Sequence, residues 1–155
     1  MSREALTSIL MSSTHTTAAA SASNAAHDNA DTLAVAHAAF GHFTHGLATG
    51  DWEPFLAMVT DDFSFFFPMG EYQGAHTGRD KARAFFAYVR SAFPDGLTVT
   101  LDRVMSNANT VVFEFRDEGV FRGAPYRNRV AVSFDIRDGR IAQYREYFGS
   151  DGKSY

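Results

Sequence analysis

The chain has 155 residues, 45% of them hydrophobic and 14% aromatic, which is enough apolar material for one domain with its own core and too little length for a second. A formal net charge of -4 lacks the basic face of a phosphate-backbone binder, so no nucleic-acid partner is expected; the absence of cysteine excludes disulfides, thiolate metal sites and Cys nucleophiles. No apolar run approaches the roughly 18 residues that a membrane span requires, so no membrane partner is expected and cytoplasm is the default location.

The opening MSREALTSILMSSTHTTAAASASNAAHDNAD holds a brief apolar patch followed by Ser, Thr and Ala, a poor secretory signal. It predicts a disordered tail over residues 1–28 and a single domain over 29–155. Asp31 or Thr32 is suited to cap a helix whose apolar positions Leu33, Ala36, Phe40, Phe43 and Leu47 follow helical spacing. Asp51 is suited to cap a short second helix that turns Phe55, Met58 and Val59 inward, with Pro54 in its first turn. A strand follows at DFSFFFP, stopped by Pro68 and Gly70. Thr77 and Asp80 resemble a capping box for a third helix, which carries Ala82, Phe85, Phe86, Val89 and Phe93 on one side and Arg79, Arg83 and Arg90 on the other.

From Leu97 the period changes from helical to alternating. LTVTLDRVM, TVVFEFRDEGVF, YRNRVAVSFDI and RIAQYREYF read as four strands of an antiparallel meander. Helices first and a meander after them indicate α+β, with the helices on one face of a curved sheet. In the second of these strands Val111, Phe113, Phe115 and Asp117 share the inward face, with Asp117 expected near a rim. In the third, Tyr126, Asn128, Val130, Val132, Phe134 and Ile136 share the core face, and Arg127, Arg129, Ala131, Ser133 and Asp135 the other.

The RDGR turn sets the direction of the last strand, where Arg145 and Glu146 are adjacent. A two-residue loop of Asp138 and Gly139 pairs Ile136 with Ile141, Val132 with Arg145 and Val130 with Tyr147, which puts a charge on the apolar face and turns Glu146 outward. A three-residue loop that includes Arg137 pairs Val132 with Tyr144, Val130 with Glu146 and Asn128 with Phe148. The second arrangement keeps the outer face polar and is preferred, because a slip of one residue turns every side chain over. Glu146 then sits among apolar neighbours, where its pKa rises. It reads either as a general acid or base tuned by an apolar pocket, or as a structural Glu bonded to Asn128 or a ring hydroxyl.

TGDWEPFLAMVTDDFSFFFPMGEYQG, HTGRDKARAFF and YRNRVAVSFDIRDGRIAQYREYFG together resemble the NTF2-like superfamily, and within it the SnoaL-like and ketosteroid-isomerase-like members. The resemblance spans about Leu33 to Gly149. It implies a cone-shaped, mainly antiparallel sheet with three helices closing an apolar pocket, and a homodimer through the convex face. Ketosteroid isomerases place an Asp before Pro-x-Gly, a Tyr on the first helix and an Asp on the strand before the last turn. The matching positions here hold Phe67, Phe43 and Val132, so isomerisation by that set of groups is not expected. Limonene-epoxide-hydrolase-like members end in Trp-Arg-Asp-Tyr-Phe, which aligns with Tyr144 to Phe148 and puts Glu146 on the base position. Their second Asp matches Asp117, while their Arg position holds Phe115.

Glu146, Tyr144 and Asp117 are thus the candidate catalytic residues, with Asn128 and Tyr144 to orient a substrate oxygen. Phe43, Trp52, Phe65, Phe67, Val130, Val132 and Phe148 are the candidate walls. His37, His42, His45 and His76 lack the spacing of a metal site, and there is no Gly-rich phosphate loop or G-x-S-x-G elbow, so neither metal nor other cofactor is expected. Two functions remain open. One is a cofactor-independent enzyme moving protons on a small apolar carbonyl or polycyclic substrate by isomerisation, cyclisation or elimination; the other is a non-catalytic ligand-binding or dimerisation domain.

Overall fold

The computed structural model describes residues 3–148, with side chains from Ala18 onward; the expected end of the domain at Tyr155 and the first two residues of the expected tail lie outside the described residues. The first helix, α1, runs Arg3–Thr49 rather than starting at Asp31 or Thr32. Most of the stretch read as a disordered tail is therefore helical here. Its Ala-rich sequence favours helix, and neither Gly nor Pro interrupts the chain before Gly41. Packing nevertheless begins where the apolar spacing begins: residues 18–28 are exposed, whereas Ala36, Ala39, Phe40 and Phe43 are buried.

Helix α2 (Glu53–Leu56) starts at Trp52, and Asp51 Oδ1 accepts the Glu53 N–H at 3.3 Å from one residue further out. Strand β1 (Val59–Phe67) is followed by a 3-10 turn (Gly70–Tyr72) and by β2 (Gly74–Thr77), a short edge strand that the sequence reading did not contain. Thr77 ends that strand and does not cap the third helix. The N-cap of α3 (Arg79–Ala92) is Gly78, at φ 102, with no side-chain cap. Left-handed backbone of this kind is open to glycine and strained for a threonine.

The remaining strands are β3 (Leu97–Asn107), β4 (Thr110–Phe121), β5 (Ala124–Arg137) and β6 (Arg140–Phe148), as their alternating patterns require. The sheet order is β2-β1-β6-β5-β4-β3. All neighbours are antiparallel except β1 and β6, which run parallel with Phe65 beside Tyr144. Helix α1 packs on β3, β4 and β5, and α3 on β1 and β2. Between them lies a core of rings, with Phe43, Phe55, Phe63, Phe85, Phe86, Phe113 and Phe134 fully buried. Gly46 permits the close seat of Trp52 on α1, since a Cβ there would stand 2.4 Å from Trp52 Cε3.

The turn between β5 and β6 corrects the expected register. Arg137 pairs with Arg140, so the loop has two residues, Asp138 at φ 52 and Gly139 at φ 71. That pair of left-handed residues suits a hairpin turn. Ile136 then pairs with Ile141, but Asp135 pairs with Gln143, which leaves Ala142 as an extra residue in a bulge. The bulge restores parity. Phe134 faces Tyr144, Val132 faces Glu146 and Val130 faces Phe148, two residues away from the pairing expected of a three-residue loop. A two-residue loop was expected to turn Glu146 outward; with Ala142 bulged, Glu146 stays on the inner face.

Candidate functional site

The site follows from strand parity. On β4 the inward series Val111, Phe113, Phe115 ends in Asp117, which is 5% exposed and lies within the strand, not at a solvated rim. On β5 the same face presents Tyr126 and Asn128, and on β6 Tyr144, Glu146 and Phe148. These polar groups line one apolar cavity of about 290 Å³ between the concave face and the helices. Phe43 and Leu47 of α1, Trp52, Phe67 of β1, and Phe85, Phe86 and Val89 of α3 form its walls, and Met69, Phe121 and Pro125 also line it.

Of the expected wall residues, Phe43, Trp52, Phe67 and Phe148 line this cavity, as does Asn128. Phe65, Val130 and Val132 do not. Phe65 stacks on Phe85 and His76 in the core, Val132 is fully buried opposite Glu146, and Val130 is buried between Phe115 and Phe148 on the neighbouring strands. The groups that ketosteroid isomerases use are absent as expected, with Phe67 and Phe43 on the cavity wall and Val132 in the core.

Tyr144 is fully buried and its hydroxyl donates to Glu146 Oε2. Its one proton is committed there, so Tyr144 tethers Glu146 and does not itself present a donor to a ligand. Asn128 is likewise engaged: its Nδ2 donates to the Tyr126 hydroxyl at 3.0 Å and its Oδ1 accepts the Arg129 N–H at 2.9 Å. The Tyr126 hydroxyl keeps its own proton for a partner in the cavity. Sequence reading placed Tyr126 on the inner face without assigning it to the site; its position one alternation before Asn128 was the available signal.

Burial raises both carboxyls. Asp117 is pushed up to about 7 by desolvation, and its Oδ1 has no hydrogen-bond partner among the described residues. Glu146 is pushed up to about 8, by desolvation first and by the negative charge of Asp117 second. The residue as a whole is half-buried, yet its carboxyl end lines the apolar cavity, and that local environment controls its ionisation. Desolvation, with the charge of Asp117 behind it, also raises the Tyr126 phenol. The indole N–H of Trp52 is a second buried group without a partner. The cavity thus offers a titratable carboxyl pair and a free phenol proton.

The histidines are elsewhere. His45 Nε2 lies 3.4 Å from Asp51 Oδ2 on the exposed side of α1, His37 meets the edge of Phe113, and His76 bonds the Tyr72 carbonyl at 2.9 Å. His42 is exposed. No helix among the described residues is long and apolar enough to cross a membrane.

Residues 40–144 match the family model of the SnoaL-like domain. An NTF2-like protein from Anabaena variabilis ATCC 29413 is 60% identical, with a TM-score of 0.78 over 81% of this chain and 94% of that one. A protein assigned to the SnoaL-like polyketide cyclases, from Jannaschia sp. CCS1, is 20% identical with a TM-score of 0.63 over 77% and 86% of the two chains. An LEH-like epoxide hydrolase of M. tuberculosis is 19% identical with a TM-score of 0.59 over 78% and 84%. No curated protein matches the chain. At about a fifth identity the last two structures share the fold. The cone with its enclosed pocket, the family match across most of the domain and the 60% identical NTF2-like structure lead to one conclusion: the chain belongs to the SnoaL-like family of the NTF2-like fold.

Proposed function

We propose that the protein is a cofactor-independent enzyme that moves a proton on a small, mostly apolar carbonyl or polycyclic substrate. The observation that carries this reading is the Glu146 carboxyl, tethered by Tyr144 in an apolar cavity and titrating at about 8. A base with a pKa near the working pH combines a useful ionised fraction with a strong drive to take a proton. Ionised Glu146 removes a proton from the carbon next to the carbonyl, and the electron pair of that C–H bond moves onto the carbonyl oxygen. The Tyr126 hydroxyl supplies a donor for that oxygen. Return of the proton to another carbon gives isomerisation, attack of the carbanion on a second carbonyl gives cyclisation, and loss of a leaving group gives elimination. Rings of the wall exclude water and strengthen each of these interactions.

The test is exchange. Cyclic ketones and enones incubated with the protein in D2O are followed by proton NMR for loss of the hydrogens next to the carbonyl. Catalysed exchange is expected for at least one of them, and Glu146→Gln should slow it roughly 100-fold or more while leaving ligand-induced change in Trp52 fluorescence intact. A second reading, a non-catalytic ligand-binding domain, is favoured by the apolar residues at Phe43, Phe67 and Val132. Binding without exchange across the whole panel would select it and remove Glu146 as a base.

A further inference from the structure

The charge balance of the cavity wall is one-sided. Among the described residues no Lys, Arg or His lines it, while Asp117 from β4 and Glu146 from β6 both do. The other titratable groups facing the cavity are phenols: Tyr126 from β5, Tyr144 from β6 and Tyr88 from α3. Helix α1, the Trp52 segment and β1 contribute no charged group. The exposed guanidinium of Arg122 lies 5.0 Å over the ring of Phe121 and is not part of the wall. Two buried acids without a basic neighbour are unusual, because buried carboxylates are ordinarily paired or coordinated. Asp117 makes the point sharply, being 5% exposed, turned to the cavity and without a partner for Oδ1.

The rest of the wall is largely aromatic, including Phe43, Trp52, Phe86, Tyr126 and Phe148. Ring faces carry negative charge and attract organic cations. An anion entering this space would meet two acids and the faces of rings. A neutral ligand would strip the remaining water from Asp117 and return nothing to it if that carboxyl is ionised. A cation satisfies both the acids and the rings. The hydroxyl of Tyr126, which accepts from Asn128 and keeps its own proton, is a donor for an acceptor on the ligand.

We propose that the cavity selects an apolar organic cation, namely a carbonyl compound that also carries a protonated or quaternary nitrogen. The proposal rests on the reading of this cavity as a carbonyl site and names the charge of its substrate class. The nitrogen sits against the rings within reach of the carboxylates, and the carbonyl oxygen takes the Tyr126 proton. Ionisation of Asp117 and Glu146 is then coupled to loading, because a positive ligand favours their charged forms.

Phenacyltrimethylammonium and neopentyl phenyl ketone test this directly. They are both ketones of the same shape, differing in one nitrogen for carbon and hence in charge. Trp52, the single tryptophan, lines the cavity and reports binding by fluorescence. The full chain is expected to bind the cation roughly tenfold or more tightly than the neutral ketone at pH 8.5. Between about pH 6 and pH 9 cation affinity should rise as the carboxyls ionise, while affinity for the neutral ketone should fall as their protons are lost. In the paired substitution Asp117→Asn and Glu146→Gln the pH dependence and most of the preference should disappear, with the neutral ketone still bound. Equal or tighter binding of the neutral ketone, no fluorescence response to either, or a preference that persists in the paired variant would each overturn the proposal. Loss of the preference with hydrogen exchange intact would refute it and leave the proton-transfer reading standing. A clear preference without exchange on any ketone would support it and refute that reading.

Discussion

The two faces of the sheet treat charge in opposite ways. On the convex face Arg116 holds Asp102 through two nitrogens at 2.9–3.1 Å, Arg103 Nε reaches Glu114 at 2.9 Å, and Arg145 Nη2 meets Asp135 at 2.7 Å. Asp102 is held below its ordinary value, chiefly by its hydrogen bonds to Arg116. On the concave face Asp117, one residue along the same strand from Arg116, has no basic partner and is pushed up instead. The chemistry of a carboxyl is thus decided by the parity of a strand. Outside, water and partners make charge ordinary and nearly interchangeable; inside, two acids share a space whose only answer to their charge is a proton or a ligand.

Inserting one residue after Ala142 attacks this division at its origin. Ala142 already fills the bulge, so the added residue takes the place opposite Asp135 and Gln143–Phe148 move over by one position; Glu146 and Tyr144 then face outward and Arg145 enters the core. An unpaired buried charge and a displaced tyrosine together cost more than about 5 kcal/mol, a large part of the stability of a domain this size. The expected result is loss of the cooperative melt followed by circular dichroism; a native-like melt would show that the strand absorbs the added residue without changing sides.

Next in size is the pH dependence of stability. The folded chain holds Asp117 protonated up to about 7, while its ordinary value is 3.8. Between those values the folded state binds the proton that the unfolded state has released, so the Asp117 share of stability falls as pH rises from about 4 and levels off above about 8, and Glu146, pushed up to about 8, acts in the same direction. Asp117→Asn removes that share. The variant should match the parent near pH 4 and exceed it at pH 9 by up to about 4 kcal/mol, measured by urea denaturation at both pH values. A parent that becomes more stable between pH 5 and pH 9 would contradict the burial of this acid. The smallest effect belongs to the convex face, where Arg116→Ala should leave the melting temperature at neutral pH unchanged within error and the profile between pH 5 and pH 9 unaltered. A large shift there would erase the contrast between the faces.

Much of the framework was legible because alternation is a strong signal. Val130, Val132, Phe134 and Ile136 are buried and Arg127, Arg129 and Arg137 exposed, as their spacing requires. The register of β6 was not legible in the same way, since the bulged residue is Ala142, small enough for either face and silent in any apolar count. The right side of Glu146 was reached through the wrong loop. Asp117 reads as a rim residue because an acid that ends an apolar series is ordinarily solvated; in the fold it is 5% exposed, and further along the same strand Gly119 gives room to Leu97, whose Cδ2 would lie 2.7 Å from an added Cβ. The start of α1 escaped for a different reason. Ala, Ser and Thr without an apolar stripe fix no packing, so composition alone separates a solvated helix poorly from an unstructured segment.

The place of β6 in the sheet has a consequence during synthesis. It comes last of the described strands, yet it is inserted between β1 and β5, so two strands made earlier each wait with an open hydrogen-bonding edge. Glu146, its tyrosine tether and the link between the two halves of the sheet all arrive on this one segment. Until Phe148 has left the ribosome the chain exposes the apolar concave face between β1 and β5, the condition under which unpaired edges aggregate. Folding of this protein is for that reason a late, non-local event.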